Sequence, residues 1–442
     1  MTGSKTLVTH QGQQLLIDCG LFQGYKNLRL MNWEPFAFEP KQVAAVVLTH
    51  AHLDHSGALP LLIKQGFEGP VYATPATIDA CGVLLPDSAR IQEEDADYAN
   101  RHRTSKHKPA LPLYTEGDAK RALGHLRPLP FDQWEPVTAD LSVRFRRAGH
   151  ILGASSVQLR SADTTVVFSG DLGRPNDPIM QPPAVIEQAD YVVLESTYGD
   201  RLHGSNNPEA ALGDAIRRTA ARSGSVIIPA FAVGRTQELL YAIYRLKKQG
   251  AIADLPVFLN SPMAIDMTQI YHRYRAEHRL SAQECAGLCG VAKMVRTVQE
   301  SRALNALRYP AIIISASGMA TGGRVLHHLK AMAPNPRNTI IFTGYQAAGT
   351  RGARMVAGER SIRIYGEDIP VNAEVLALQG MSAHADAQEA VQWLTSAPKP
   401  PRCVYLTHGE PGPADMLRQR IEHELGWSVM VPRLGQVVEL DR

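Results

Sequence analysis

His50-Ala-His52-Leu-Asp54-His55 sets four strong metal-ligating side chains within six residues, directly after the apolar run Val43-Ala-Ala-Val-Val-Leu48. The run predicts a buried strand, and the cluster falls where that strand gives way to a loop. Side chains of extended backbone repeat every two residues, so His50 and His52 point the same way. Asp54 and His55 pass beyond them, within reach of a second ion beside the first. Four polar ligands buried at a strand end without partners would be costly, and bound metal is the simplest way to satisfy them.

One such cluster does not saturate two ions, because zinc takes four ligands and a catalytic site leaves one of them to water. Three later segments offer the remainder. His150 stands in Ala148-Gly-His-Ile-Leu-Gly-Ala-Ser155, where flanking glycines let the backbone turn tightly. Asp171 stands in Ser169-Gly-Asp-Leu-Gly-Arg174, and its two carboxylate oxygens suit it to bridging a pair of cations. His408 stands in Thr407-His-Gly-Glu410. Strands are expected at Leu15–Cys19, Thr165–Ser169, Tyr191–Leu194 and Cys403–Thr407, so these polar residues gather where strands stop, as chemistry does in α/β folds.

The chain of 442 residues is long enough for two or three domains, and 44% hydrophobic with 20% charged residues describes an ordinary globular protein. A net charge of +3 neither demands nor excludes a nucleic-acid partner, since a local groove matters more than the total. No leader segment is visible and no apolar run approaches a membrane span, so no membrane partner is expected. Five scattered cysteines do not form a disulfide framework, and a reducing cytoplasm is the expected setting. Cys285 and Cys289 are spaced like a ligand pair, but no second pair accompanies them, and they read as small buried thiols on a helix.

Apolar strands alternate with amphipathic helices along nearly the whole length, which predicts a layered α/β protein. The strongly charged stretch from about Ala89 to Pro112 reads as an exposed helix followed by an irregular loop, with a cap over a substrate cleft as the functional alternative. From about Asp200 a second strand–helix series begins, with strands at Val226–Pro229, Pro256–Leu259, Ala311–Ile314 and Thr339–Phe342. Helices at Arg235–Lys247 and Ala264–Tyr274 lie between them. The expected plan is a metal-binding domain in two pieces, residues 1–200 and 372–442, interrupted by an inserted domain at 201–371.

Taken together, His-x-His-x-Asp-His, then Gly-His, Gly-Asp and a late His resemble the metallo-β-lactamase fold. Glu195-Ser-Thr-Tyr-Gly-Asp200, Met381-Ser-Ala-His384-Ala-Asp386 and Thr407-His408-Gly-Glu look like motifs A, B and C of its β-CASP branch, which includes the pre-mRNA cleavage endonuclease and ribonuclease J. The resemblance spans nearly the whole chain. It implies an α/β fold, an αββα sandwich with an inserted α/β β-CASP domain. It implies two Zn2+ ions, one held by His50, His52 and His150 and the other by Asp54, His55 and His408, with Asp171 bridging. Redox di-iron relatives carry glutamate where this chain has His52. The implied activity is hydrolysis of RNA phosphodiester bonds, in RNA processing or decay, through water activated by the metal pair. His384 is the expected general acid, Glu195 orients it, and Asp54 counts among the catalytic groups as well as the ligands. Single-stranded RNA is the expected partner, and the resemblance also allows a homodimer.

Ser315-Ala-Ser-Gly-Met-Ala-Thr-Gly-Gly-Arg324 follows a strand and opens a helix, which makes Ser315, Ser317, Gly318 and Arg324 candidate phosphate contacts, with Arg351 beside them. Two readings compete with the ribonuclease. A small-molecule hydrolase of thioesterase or lactonase type leaves Glu195 and His384 unexplained, and a non-catalytic RNA-binding subunit does not require every ligand position to be filled. Endonucleolytic and 5′-exonucleolytic cutting both remain open. The lack of a long extension after His408 of the ribonuclease J kind tilts toward the former, and DNA is a further substrate alternative. Relatives usually place another strand before the Thr-Gly-Ser that here follows Met1, which predicts an unpaired sheet edge at this end.

Overall fold

A computed structural model describes residues 3–204, 207–344, 346–347, 349–378 and 380–441. The chain divides into two compact units, Met1–Leu202 with His384–Arg442, and His203–Ala383.

The first unit is built on two sheets. Five strands, Thr6–His10, Gln13–Ile17, Val43–Val47, Val71–Ala73 and Leu126–Pro128, lie side by side in chain order. The first pair is antiparallel across a two-residue turn in which Gln11 and Gly12 both have positive φ, the geometry whose twist matches a hairpin. The remaining neighbours are parallel. Seven strands form the second sheet, in the order Val429–Met430, Cys403–Thr407, Tyr191–Glu195, Thr165–Phe168, Ser155–Arg160, Ser142–Arg147 and Trp134–Pro136. Alternation is clear in Ser142–Arg147: Val143 and Phe145 are buried, while Arg144 and Arg146 turn outward to pair with Glu187. Leu15, Ile17, Ala45 and Val47 of one sheet meet Val143, Phe145, Val157 and Phe168 of the other. On the far face of the seven-stranded sheet, Val167, Val192 and Leu194 pack beneath helices Ala387–Leu394 and Pro411–Leu425. The result is the layered sandwich expected from the motifs.

The parallel pairing in this sheet decides where the chemistry lies. Tyr191–Glu195 runs parallel to both Thr165–Phe168 and Cys403–Thr407, with Glu195 opposite Thr407. Three strands therefore end together, delivering Asp171, Glu195 and His408 to one edge although more than two hundred residues separate the last two.

The second unit carries a six-stranded parallel sheet in the order Lys293–Met294, Val257–Leu259, Ile312–Ser315, Val226–Pro229, Thr339–Phe342 and Glu374–Ala377. Its central strands are buried on both faces, which explains their unbroken apolar runs. The chain returns to the first unit at His384 rather than at residue 372. Glu374–Ala377 pairs with Thr339–Phe342 and so stays with the inserted sheet.

The charged stretch after Ala89 is the second half of one 28-residue helix, Pro75–His102, and not a separate element. Thr74 caps its start, its buried residues concentrate between Ala76 and Ala89, and Pro86 lies inside it. Residues 103–112 are irregular, as their composition suggested.

Candidate metal centre

Strand Val43–Val47 runs into Thr49 and His50, and a single helical turn, Leu53–Ser56, then carries Asp54 and His55 with His52 at its N-cap. That turn is pinned by backbone bonds: Ser4 N–H donates to Asp54 O at 2.7 Å, Cys19 N–H to His55 O at 2.7 Å, and Leu21 N–H to Leu53 O at 2.8 Å. The two segments approach so closely that a Cβ at Gly20 would lie 1.6 Å from Asp54 O, so no other residue fits there. His150 is presented by a tight loop that rests on the Asp171 loop, where Gly173 N–H donates to Ala148 O at 2.8 Å. A Cβ at Gly173 would come within 2.0 Å of Gly149. His408 follows strand Cys403–Thr407 in left-handed backbone, at φ 56°.

Seven candidate ligands converge in two sets, both within the first unit. In one, His52 Nδ1 lies 3.1 Å from His50 Nε2 and 3.3 Å from His150 Nε2, and Asp171 Oδ2 lies 3.4 Å from both His50 Nε2 and His150 Nε2. A zinc tetrahedron with arms of about 2.0–2.1 Å has edges of about 3.3–3.4 Å, so these four atoms already stand at the corners of such a site. In the other set, His55 Nε2 is 3.1 Å from His408 Nε2 and 3.1 Å from Asp171 Oδ1, while His408 Nε2 is 3.3 Å from Asp54 Oδ2. Asp171 thus turns one oxygen to each set. Its Oδ1 is buried and accepts no hydrogen bond, and His150 Nδ1 is likewise buried without one. Imidazole nitrogens facing one another in a dry interior need a cation or a proton between them, so the donor set fits a pair of divalent ions.

The charges sort the two sets. Burial, reinforced by neighbouring imidazoles, lowers the pKa of His50, takes His52 down to about 3 and holds His150 well below the usual range. Those three rings are neutral and offer lone pairs. For His55 burial also pulls downward, but Asp171 and Asp18 outweigh it and raise the pKa well above the usual value. His408 is raised as well, against burial, chiefly by Asp171. Asp54 and Asp171 are held ionised by the facing imidazoles despite their burial.

Behind the ligands stands Asp18, which the sequence reading passed over. Its Oδ2 receives the His55 Nδ1 hydrogen bond at 2.7 Å, and its Oδ1 accepts from Thr49 N–H at 2.8 Å. Thr49 Oγ1 donates to Asp18 Oδ2 at 2.9 Å and lies 3.0 Å from His50 Nδ1. Asp18 therefore fixes the ring orientation of His55, as carboxylates behind metal-binding histidines commonly do. The available signal was an acid ending the apolar run Leu15-Leu-Ile17, parallel to the strand that carries the histidines.

His384 joins the same region. A backbone bridge links it to Gly173, and Ala385 N–H donates to Leu172 O at 2.7 Å. Its Nδ1 sits 3.1 and 3.2 Å from the two oxygens of Glu195, and its ring packs 4.5 Å from that of His150. Glu195 Oε1 accepts from Leu172 N–H at 2.5 Å, and its own N–H donates to Ser169 Oγ at 3.0 Å. The pair is fixed in place and directs the far nitrogen of His384 away from the carboxylate.

The expected phosphate contacts lie in the second unit, where each also holds its own loop. Ser315 is fully buried and donates to Asn260 O at 2.9 Å. Ser317 Oγ accepts from Thr321 N–H at 3.1 Å, and Gly318 packs against Phe231. Arg324 donates to Asn260 Oδ1, Val295 O and Arg296 O at 2.9, 3.1 and 2.6 Å. Arg351 donates to Arg363 O at 2.7 Å and to Ala320 O and Thr321 O at 3.3 and 3.2 Å. These groups shape the loop after strand Ile312–Ser315 from within the second unit. Both arginines of this region thus spend donors on acceptors of their own unit.

Comparison with known proteins agrees with this architecture. Family models for the metallo-β-lactamase superfamily, the Beta-Casp domain and the Zn-dependent metallo-hydrolase RNA specificity domain match residues 3–208, 236–355 and 368–432. A protein of Thermus thermophilus named as a ribonuclease is 38% identical over 93% of this chain and 91% of its own length. The transcription termination factor FttA of Methanosarcina mazei is 32% identical over 91% of this chain, which spans 64% of that protein, and its Pyrococcus abyssi counterpart is 32% identical over 99% of this chain and 69% of its own. A crystal structure of a protein of unknown function from Enterococcus faecalis superposes with a TM-score of 0.53 at 12% identity, covering 98% of this chain and 96% of that one, a likeness of fold alone. Fold and site together define a metal-dependent hydrolase. The chain belongs to the β-CASP ribonuclease family of the metallo-β-lactamase superfamily.

Proposed function

We propose that this protein is a zinc-dependent ribonuclease that hydrolyses phosphodiester bonds of single-stranded RNA at a centre of two cations. The observation that carries the reading is Asp171, whose two oxygens face two separate imidazole sets at 3.1–3.4 Å. His50, His52 and His150 would hold one ion and Asp54, His55 and His408 the other, with Asp171 shared between them. Imidazole-rich sets with edges of zinc-tetrahedron length favour zinc over harder cations. Bound there, the two ions supply positive charge opposite the phosphate and bring the pKa of a water toward neutrality.

The chain's own residues complete the reaction. Asp54 serves twice, as a ligand through one oxygen and as a proton acceptor through the other. Protonated His384 donates to the departing ribose oxygen, and Glu195 keeps that proton on the ring and the ring in register. RNA as the substrate is supported by the RNA specificity model over residues 368–432 and by the relative named as a ribonuclease. A metallo-hydrolase unit in two segments around an inserted β-CASP unit is part of the same reading. So is a reducing cytoplasmic setting, in keeping with five free thiols.

The test loads purified protein with zinc, counts metal per chain, and offers labelled RNA with open and blocked ends beside thioester and lactone substrates. Two ions per chain and RNA cleavage that disappears in Asp171→Ala are expected, and the product pattern separates internal from end-directed cutting. Cleavage by Asp171→Ala at the parent rate would overturn the assignment. Turnover of a thioester or lactone without RNA cleavage would replace it with the small-molecule reading.

A further inference from the structure

In the second unit, three ligand-type side chains meet well outside the centre described above. Helix Ala282–Gly290 presents Cys285 and Cys289 one turn apart on the same face. His272 comes from the end of helix Pro262–Arg273. One atom from each of the three lies within 4.8 Å of the others. The Cys285 sulfur is 3.7 Å from His272 Nδ1 and 3.9 Å from His278 Nε2. In a tetrahedral site with Zn–S of about 2.3 Å and Zn–N of about 2.0–2.1 Å, a sulfur–nitrogen edge is about 3.6 Å. The observed spacings are therefore already within a few tenths of an ångström of metal-bound ones.

A further histidine borders the cluster. His278 is buried, and its Nδ1 makes no hydrogen bond. Its Nε2 lies 3.2 Å from Tyr271 O. A satisfied core histidine would use both nitrogens. Cys285 is buried too, whereas His272 is exposed, which leaves a route in for an ion.

We propose that His272, Cys285 and Cys289 form a second, soft metal site that takes a single zinc-class cation, with the fourth position left to water. It ties helix Pro262–Arg273 to helix Ala282–Gly290, a structural task separate from phosphodiester chemistry. The sequence reading set these cysteines aside because no second cysteine pair accompanies them. His272 supplies the third ligand, thirteen residues upstream of Cys285, a spacing unlike the common zinc-finger ones. Burial holds both thiols protonated in the metal-free protein and pushes Cys289 up to about 12, so uptake of the ion displaces thiol protons and weakens as pH falls.

Cobalt separates this site from the main one, because the main centre has no sulfur ligand. Full-length protein is stripped with chelator and titrated with Co2+ while the near-ultraviolet thiolate-to-cobalt charge-transfer band is followed. The band should saturate at one ion per chain, persist in Asp171→Ala, and vanish in the Cys285→Ser/Cys289→Ser double variant. Zinc per chain should fall by one in that double variant while RNA cleavage is retained. His272 is exposed, so His272→Ala should fold normally and bind the band-forming cobalt at least tenfold more weakly. No thiolate band in folded parent protein, a band that survives the double variant, or unchanged cobalt affinity in His272→Ala would each overturn the site.

Discussion

Opposing forces act on the ring of His384. Burial drives its pKa down, Glu195 at 3.1 Å drives it up, and the balance lies at about 9. The proton needed by a leaving group is thus held through neutral pH and lost as pH rises through that value. The alkaline limb of the kcat profile should be set by this ring. Glu195 faces the ring directly and opposes the effect of burial, so Glu195→Gln should move the fall to lower pH. An alkaline limb that stays in place would remove Glu195 from this role. His384→Ala should lower kcat by roughly 10²–10⁴-fold while the metal content stays the same. Asp18 touches no substrate and acts through His55. Asp18→Ala should weaken metal binding about 10–100-fold, with most of the loss at the Asp54–His55–His408 set, measurable by competition with a chelating dye. Equal weakening at both sets would point to general collapse of the region.

At the scale of elements, the parallel strand is what made the centre readable. The segments bearing His50, Asp171 and His408 begin where apolar runs end, because parallel strands leave their loops at the carboxyl edge as the place for chemistry. His50, Asp171 and His408 could be found in this way without knowing which strands are neighbours. The helix starting at Pro75 was less legible. Its buried face ends near Ala89 while its backbone continues, and composition registers the change in burial and not the change in backbone. Arg324 was read as a phosphate grip because a glycine-rich turn before a helix is ambiguous without knowing where the side chain's donors go. They go to Asn260, Val295 and Arg296. Arg324→Ala should accordingly cost about 1–3 kcal/mol of stability, since three acceptors lose a charged donor. The salt dependence of RNA binding should not change, and a slope reduced by about one unit would restore the phosphate contact.

For the molecule as a whole, the two-piece plan could be read from the recurrence of a strand-then-histidine pattern near residue 408, while the point of return could not. Strand Glu374–Ala377 looks like any other short apolar run, and only its pairing with Thr339–Phe342 assigns it to the inserted sheet. Asp18 escaped for a related reason: a single acid at a strand end carries no local pattern, and its meaning comes from His55 across the sheet. Removing the cations should also couple stability to pH. Without metal, protonated His55, His408 and His384, all with raised pKa values, are what balance Asp54 and Asp171. A raised histidine contributes stability in full below its unfolded value of about 6.5 and loses it as pH climbs through the folded value. The Tm of chelated protein should therefore drop with increasing pH above about 6.5, while that of zinc-loaded protein stays nearly level. Parallel curves would argue against the charge arrangement described here.

The register that sets Glu195 opposite Thr407 also has a consequence for synthesis. A ribosome releases the chain from its amino end, so the strand bearing His408 emerges after every other ligand segment. Until then the half-made polypeptide holds an incomplete set of ligands and no acid partner for Glu195. A metal-dependent hydrolase built in this order completes its centre only after the inserted unit has been made.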